Sequence, residues 1–110
     1  MLRSEMEHYM DEIERVMKPN ARCLITCFLL NDDSRATIEA GRSELNFPYR
    51  VRDTDVMNLK NPEAAVAYPE EYFRDLFTSR GLNIDEPVRM GSWSGRDKFL
   101  SYQDIVLASR

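Results

Sequence analysis

The sequence lacks the features that would mark it as a membrane, secreted or disulfide-stapled protein. It contains two cysteines and four glycines in 110 residues. No apolar run reaches the roughly 18 residues that a membrane-spanning helix needs. The first residues are acidic and amphipathic, so they do not resemble a secretory signal. We therefore expect one cytoplasmic domain, residues 1–110, with a modest core and no membrane partner.

The two cysteines are too far apart for a disulfide and too few for a zinc site. Cys23 and Cys27 fall in a predicted strand, where a spacing of four residues separates them by about 13 Å. The single histidine, His8, is distant in sequence, and there are no further cysteines to complete a zinc site. We expect both thiols to be buried packing residues and His8 to be a solvated surface residue.

The charge of the chain argues against a nucleic-acid partner. The net charge is -4 and the pI is about 5.0. Lysine and arginine are scattered among acidic residues and form no basic patch. We expect no nucleic-acid partner.

Helical periodicity and end signals predict three helices. Ser4 and Glu7 have the spacing of a capping box, and apolar residues then recur at helical intervals over residues 5–17. Pro19 ends this helix. A short helix over residues 34–40 is closed by glycine, and Pro69, at a first helical position, opens the third.

Three apolar segments predict strands, and two of them are apolar on both faces. The strand from Arg22 to Leu30 and the strand over residues 101–108 therefore need cover on both faces. Pro87 lacks a ladder amide and makes the strand over residues 84–90 an edge strand. Residues 42–67 have no clear period and are interpreted as a long loop.

Several segments resemble class I, Rossmann-like S-adenosylmethionine-dependent methyltransferases. The segment IERVMKPNARCLI at residues 13–25 is similar to the R-V-L-K-P-G-G block that joins the fourth helix of that family to its fifth strand. The segment YFRDLF, followed by a Gly-Leu pair, resembles the next helix. The segments GSWSGR and YQDIV resemble the final hairpin of one bacterial and archaeal branch. The resemblance covers residues 1–108, and its motifs are structural rather than catalytic.

Two departures from the family pattern bear on the cofactor. Asn20-Ala21 replaces the two glycines after Lys-Pro, and asparagine tolerates the left-handed conformation that such a turn needs. The Gly-rich loop and the ribose-binding acid have no counterpart. The chain thus resembles the carboxyl-terminal portion of the fold, without the cofactor-binding half. The resemblance implies that it begins just after the fourth strand, with Met1 and Leu2 as the remnant of a cofactor-side loop.

The resemblance implies a fold and an activity. We expect a partial Rossmann-like α/β fold with a three-stranded sheet, in which the last strand is central and antiparallel to both neighbours. The parent enzyme would transfer a methyl group from S-adenosylmethionine to a small-molecule acceptor of undetermined chemistry. Because that cofactor already activates the methyl group, the protein mainly aligns the reactants and excludes water.

The candidate site residues follow the carboxyl ends of the predicted strands and the adjoining loops. Leu2 is the candidate cofactor contact. Each aromatic or arginine candidate also has a simpler interpretation as a core or solvated side chain. The candidates for acceptor binding are Phe28, Tyr68, Trp93 and Arg96, with Tyr49 as a weaker one.

Two other functions remain open. The chain can be a non-catalytic structural or dimerisation piece that does not bind S-adenosylmethionine, or a small α+β module with its own ligand. The unprotected apolar edge of the strand from Arg22 to Leu30 favours a homodimer, because a bare edge invites another chain to pair with it.

Overall fold

The chain folds into two sheets and their covering helices. The structure is a computed structural model that describes residues 2–96 and 100–110. The helices are α1 Arg3–Val16, α2 Asp32–Glu39 and α3 Glu70–Thr78. The strands are β1 Arg22–Cys27, β2 Leu29–Leu30, β3 Tyr49–Val51, β4 Thr54–Val56, β5 Val66–Pro69, β6 Asn83–Ile84 and β7 Asp104–Ser109. The fold class is therefore mixed α/β, as the sequence predicts.

The first sheet has the strand order β1-β7-β6, with β7 antiparallel to both neighbours. Leu24 is opposite Leu107 and Ile25 is opposite Val106 in its register. The predicted central position of the last strand is confirmed. The segment over residues 83–90 pairs with β7 only at β6 and at a single bridge between Arg89 and Ile105. The pairing is interrupted between them because Pro87 has no amide hydrogen to donate.

The second sheet, in the order β2-β5-β4-β3, has four strands and was not predicted. The interpretation of residues 42–67 as a loop is wrong, since β3, β4 and the start of β5 lie within them. Arg52 and Asp53 form the turn of the β3–β4 hairpin with φ values of 49° and 63°. Positive φ at both turn residues suits a two-residue hairpin, although the usual Asn-Gly signal is absent.

The predicted strand from Arg22 to Leu30 is divided between the two sheets. Its first part, β1, pairs with β7, whereas its last part, β2, pairs in parallel with β5. Phe28 lies at the break, where its carbonyl accepts a hydrogen bond of 3.0 Å from the Tyr68 amide. The pairing of β1 with β7 ends at Cys27 and Asp104. Two residues later, the Leu29 amide donates to the Asp104 carboxylate instead of to a strand. A hydrogen bond to a side chain therefore replaces the strand-to-strand hydrogen bonds of the sheet at Leu29.

The first sheet is covered on one face, and the expectation of cover on both faces is wrong for β1. Met6, Met10, Phe73 and Phe77 of α1 and α3 are buried against its inner face. On the other face Leu24 is 61% exposed. Helix α2 packs against β2 of the second sheet.

The ends of the helices depart from the predicted ends by one or two residues. The capping box of Ser4 is wrong, because α1 begins at Arg3 with Leu2 as its uncapped N-cap residue. A capping box forms instead at α2, between Asn31 and Ser34. Asn20 adopts the predicted left-handed conformation, with a φ of 68°.

The helices of the described part are too short or too polar to cross a membrane.

Candidate functional site

A cavity of about 200 Å³ lies where the two sheets separate. The last residues of β1 form one wall, and the segment that leads into β5 forms another. We call it the inter-sheet cavity. Its apolar lining includes Met6, Ile25, Phe28, Ala65 and Val66, and its polar lining includes Thr26, Tyr68 and Gln103. A mainly apolar pocket with a few polar groups is the usual form of a small-molecule site.

Tyr68 is held in the cavity wall by its aromatic neighbours. Its ring centroid lies 6.1 Å from that of Tyr72 and 5.8 Å from that of Phe73. Burial, with smaller effects from Tyr72 and Cys27, raises the pKa of the Tyr68 phenol above its ordinary value. The hydroxyl group therefore stays protonated at neutral pH and can donate a hydrogen bond.

Phe28 joins the cavity to an aromatic cluster behind it. Its ring centroid lies 5.4 Å from that of Phe47 and 5.5 Å from that of Trp93, and the latter pair is edge-to-face. Trp93 has no exposed surface. Phe28 can therefore contact a ligand in the cavity, while Trp93 supports Phe28 from the interior.

Asp104 fixes the position of this cluster. Its Oδ2 accepts a hydrogen bond of 2.7 Å from the Leu29 amide, and its Oδ1 accepts one of 2.6 Å from the Gly91 amide. The indole N–H of Trp93 lies 3.1 Å from both carboxylate oxygens. Burial raises the pKa of Asp104, and these N–H donors and the charge of Arg96 counter part of the rise.

A second, polar cavity of about 330 Å³ lies at the carboxyl ends of β2 and β5. Asn31 donates a hydrogen bond of 2.9 Å to Glu70, and Arg74 donates one of 2.8 Å to the other oxygen of Glu70. Burial acts to raise the pKa of Glu70, but the hydrogen bonds from Asn31 and Arg74 outweigh it and lower the pKa. The network ties the starts of α2 and α3 together and satisfies its own charges.

The structure brings together only some of the predicted site residues. Phe28 and Tyr68 both line the inter-sheet cavity. Arg96 lies elsewhere, with Nη2 3.3 Å from the Asn31 side-chain oxygen and Nη1 3.7 Å from a carboxylate oxygen of Asp33. Leu2 is buried as the N-cap of α1 and does not line the cavity.

Sequence reasoning missed several residues of the site. Met6 belongs to the cavity lining, but its helical spacing marked it only as a core residue. Ala65 and Val66 lay in the segment interpreted as a loop. The single acid at the head of the apolar segment DIVLA was the signal for Asp104, because a lone carboxylate at a buried strand position needs several donors.

Cys27 is a buried packing residue, as predicted. Cys23 packs against the core but is only half-buried, so the prediction of burial is wrong for it. Burial raises the pKa of both thiols, which lowers their thiolate content and hence their reactivity at neutral pH. Across residues 2–96 and 100–110 the structure shows no cluster of side chains suited to a metal ion.

The described residues do not form the binding site for S-adenosylmethionine that Rossmann-like methyltransferases use. A Gly-rich turn from a strand into a helix would be needed for the backbone to approach the cofactor. The helices that follow a strand directly are α2 and α3, and neither junction contains glycine. Gly41 and Gly81 instead follow the carboxyl ends of these helices with φ values of 74° and 73°.

Comparison with known proteins gives no family assignment. No protein-family model matches the chain, and no solved structure gives a significant match.

Proposed function

We propose that the chain is the carboxyl-terminal, acceptor-side portion of a class I S-adenosylmethionine-dependent methyltransferase. The observation that supports this proposal is the strand order β1-β7-β6 with a reversed central β7. That order matches the reversed final hairpin of the family, and it occurs in a chain whose Lys18-Pro19 turn leads directly into β1. The proposal assigns cofactor binding to sequence outside these residues.

The inter-sheet cavity is the acceptor site in this proposal. It lies beside Phe28, where β1 ends and the chain passes into the second sheet. Ligands of open α/β sheets bind beyond the carboxyl ends of the strands. The cavity also has the buried ring of Tyr68 in its wall, which adds aromatic surface for an acceptor to pack against.

We expect the 110-residue chain to show no saturable binding of S-adenosylmethionine, because it lacks the Gly-rich turn and the ribose-binding acid. A polypeptide from the same gene that includes the sequence upstream of Met1 should bind it. Isothermal titration calorimetry on both polypeptides checks this. Saturable binding by the short chain at micromolar concentration would contradict the first expectation, and absence of binding by the longer polypeptide would contradict the methyltransferase proposal.

A second candidate function is self-association without catalysis, and the open face of the first sheet favours it. Leu24 is 61% exposed there, with half-buried Ile105 and Leu107 beside it on β7. In the described part of the chain, the outer edge of β1 pairs with no other strand. Two copies of β1 paired antiparallel about a two-fold axis would join two three-stranded sheets into one of six strands.

We expect the chain to be a dimer at tens of micromolar, and Thr26→Lys to shift it to monomer. A lysine on an edge strand opposes pairing, and Thr26 is exposed, so the fold should tolerate it. Sedimentation velocity on both proteins measures the shift. Thr78→Lys, an exposed threonine on α3, is the matched control and should remain dimeric. A monomeric parent chain, or equal association of Thr26→Lys, would sink this second function.

A further inference from the structure

We propose that the inter-sheet cavity binds a small, uncharged, monocyclic aromatic molecule of the phenol class. Its role as the methyl acceptor rests on the proposed function above. The binding itself does not, because it depends only on the size and lining of the cavity.

The volume of the cavity selects a single ring. An apolar cavity of about 150 Å³ is large enough to hold benzene. The inter-sheet cavity, at about 200 Å³, adds room for one substituent on such a ring. Sites for drug-sized ligands start at about 300 Å³, so this partly open cavity favours a single ring over a fused ring system or a nucleoside.

The walls of the cavity select an uncharged, flat ligand. Met6 and Phe28 provide a thioether and an aromatic face, both of which pack favourably on an aromatic ring. Among the described residues that line the cavity, none carries a charge. A charged ligand would therefore gain no ionic partner among the lining residues, which favours an uncharged one.

The polar groups of the lining select a ring with a hydroxyl group. Two of the lining residues, Thr26 and Gln103, carry a hydroxyl group and an amide group. A phenol hydroxyl both donates and accepts a hydrogen bond, so it suits hydroxyl and amide partners. These groups would set the direction of the hydroxyl while Met6 and Phe28 hold the ring.

The test is a titration of phenol into the 110-residue chain, followed by two-dimensional NMR of the backbone amides. We expect saturable shifts of Thr26 and Ala65, with a Kd of about 1 mM or tighter for a ligand of this size. Benzoate has the same ring with a charge, and cyclohexanol has the hydroxyl on an aliphatic ring. Both should bind at least about tenfold more weakly than phenol.

Two variants locate the binding in the cavity. Ala65→Leu adds volume to the cavity wall and should weaken phenol binding at least about tenfold. Ala64→Leu, at an exposed position of the same lining, should give the same loss and is expected to fold even where Ala65→Leu does not. Ala40→Leu makes the same change at the exposed end of α2, outside the lining, and should leave binding unchanged.

The outcomes separate this inference from the proposed function. Absence of saturable phenol binding, binding unaffected by Ala64→Leu, or equal binding of benzoate or cyclohexanol would overturn the ligand class. If phenol binds in the cavity but the longer polypeptide does not bind S-adenosylmethionine, the methyltransferase proposal fails and the cavity assignment stands. If the longer polypeptide binds S-adenosylmethionine and phenol does not enter the cavity, only the ligand class fails.

Discussion

Replacing Asp104 by alanine is expected to lower the free energy of unfolding by about 3 to 4 kcal/mol, a large part of the stability of a domain of this size. The carboxylate is 1% exposed and accepts hydrogen bonds from the Leu29 amide, the Gly91 amide and the Trp93 indole. Alanine leaves these three buried donors without their acceptor. Each buried donor without a partner costs about 1 to 3 kcal/mol.

Urea denaturation of Asp104→Ala and of the parent chain measures this loss. Asp75→Asn, at an exposed position of α3, is a control for a change of charge alone and should stay within about 0.5 kcal/mol. The Trp93 fluorescence should also change in Asp104→Ala before unfolding, since the indole N–H loses its acceptor. A loss below about 1 kcal/mol would contradict the role assigned to Asp104.

The effect of Asp104→Asn is expected to depend on pH. Burial raises the pKa of Asp104 in the folded chain above the roughly 3.9 of an unfolded aspartate. A group with a raised pKa contributes stability that is fully present below the unfolded pKa and is lost as the pH rises through the folded pKa. Asparagine does not titrate, so the destabilisation by Asp104→Asn should be larger below pH 4 than at neutral pH. A difference that is independent of pH would refute the raised pKa.

The sequence predicts the first sheet well because its signals are local. The central place of β7 follows from the Pro87 edge signal and the two-sided apolar character of the other two strands, together with the resemblance to the family's reversed final hairpin. The apolar stripe of α1 and the glycine after α3 also act within a few residues. Local signals of this kind do not depend on which other segments pack nearby.

The second sheet could not be predicted because its signals are too short or too distant. A strand of three residues, such as β3 or β4, has no readable period, and the turn at Arg52-Asp53 lacks the Asn-Gly signal. The break at Phe28 depends on the Asp104 carboxylate, which lies more than seventy residues later in the chain.

The candidate site could be predicted only in part, because it also depends on contacts between segments that are distant in the chain. Phe28 and Tyr68 were found as aromatic residues at the end of a predicted strand and just before a predicted helix, and both line the cavity. Trp93 and Arg96 belong to a loop whose residues pack inward or contact Asn31 and Asp33. Packing of that loop, which one sequence does not reveal, decides which of its side chains remain available.

Close approach of two backbone segments also restricts which residues the chain can accept. Among the glycines this restriction is strongest at Gly91. A Cβ atom at Gly91 would overlap the Tyr102 carbonyl oxygen and would lie 2.5 Å from the Gln103 carbonyl carbon. Both atoms belong to the backbone just before β7, so no side-chain rotation relieves the contact. The φ of Gly91 is -89°, which alanine adopts freely, so the contact alone opposes substitution.

Gly91→Ala should therefore destabilise the fold by about 3 kcal/mol, since a forced backbone shift costs 1 to 3 kcal/mol and this shift also disturbs the hydrogen bond from Gly91 to Asp104. Gly41→Ala is the matched control, because Gly41 has a φ of 74° and no atom within 4 Å of the added Cβ. It should cost only the 1 to 2 kcal/mol of the left-handed conformation, about half as much. Urea denaturation of the two variants compares contact with conformation directly. A cost for Gly91→Ala equal to or below that of Gly41→Ala would show that the approach of the two backbone segments is not a constraint on the fold.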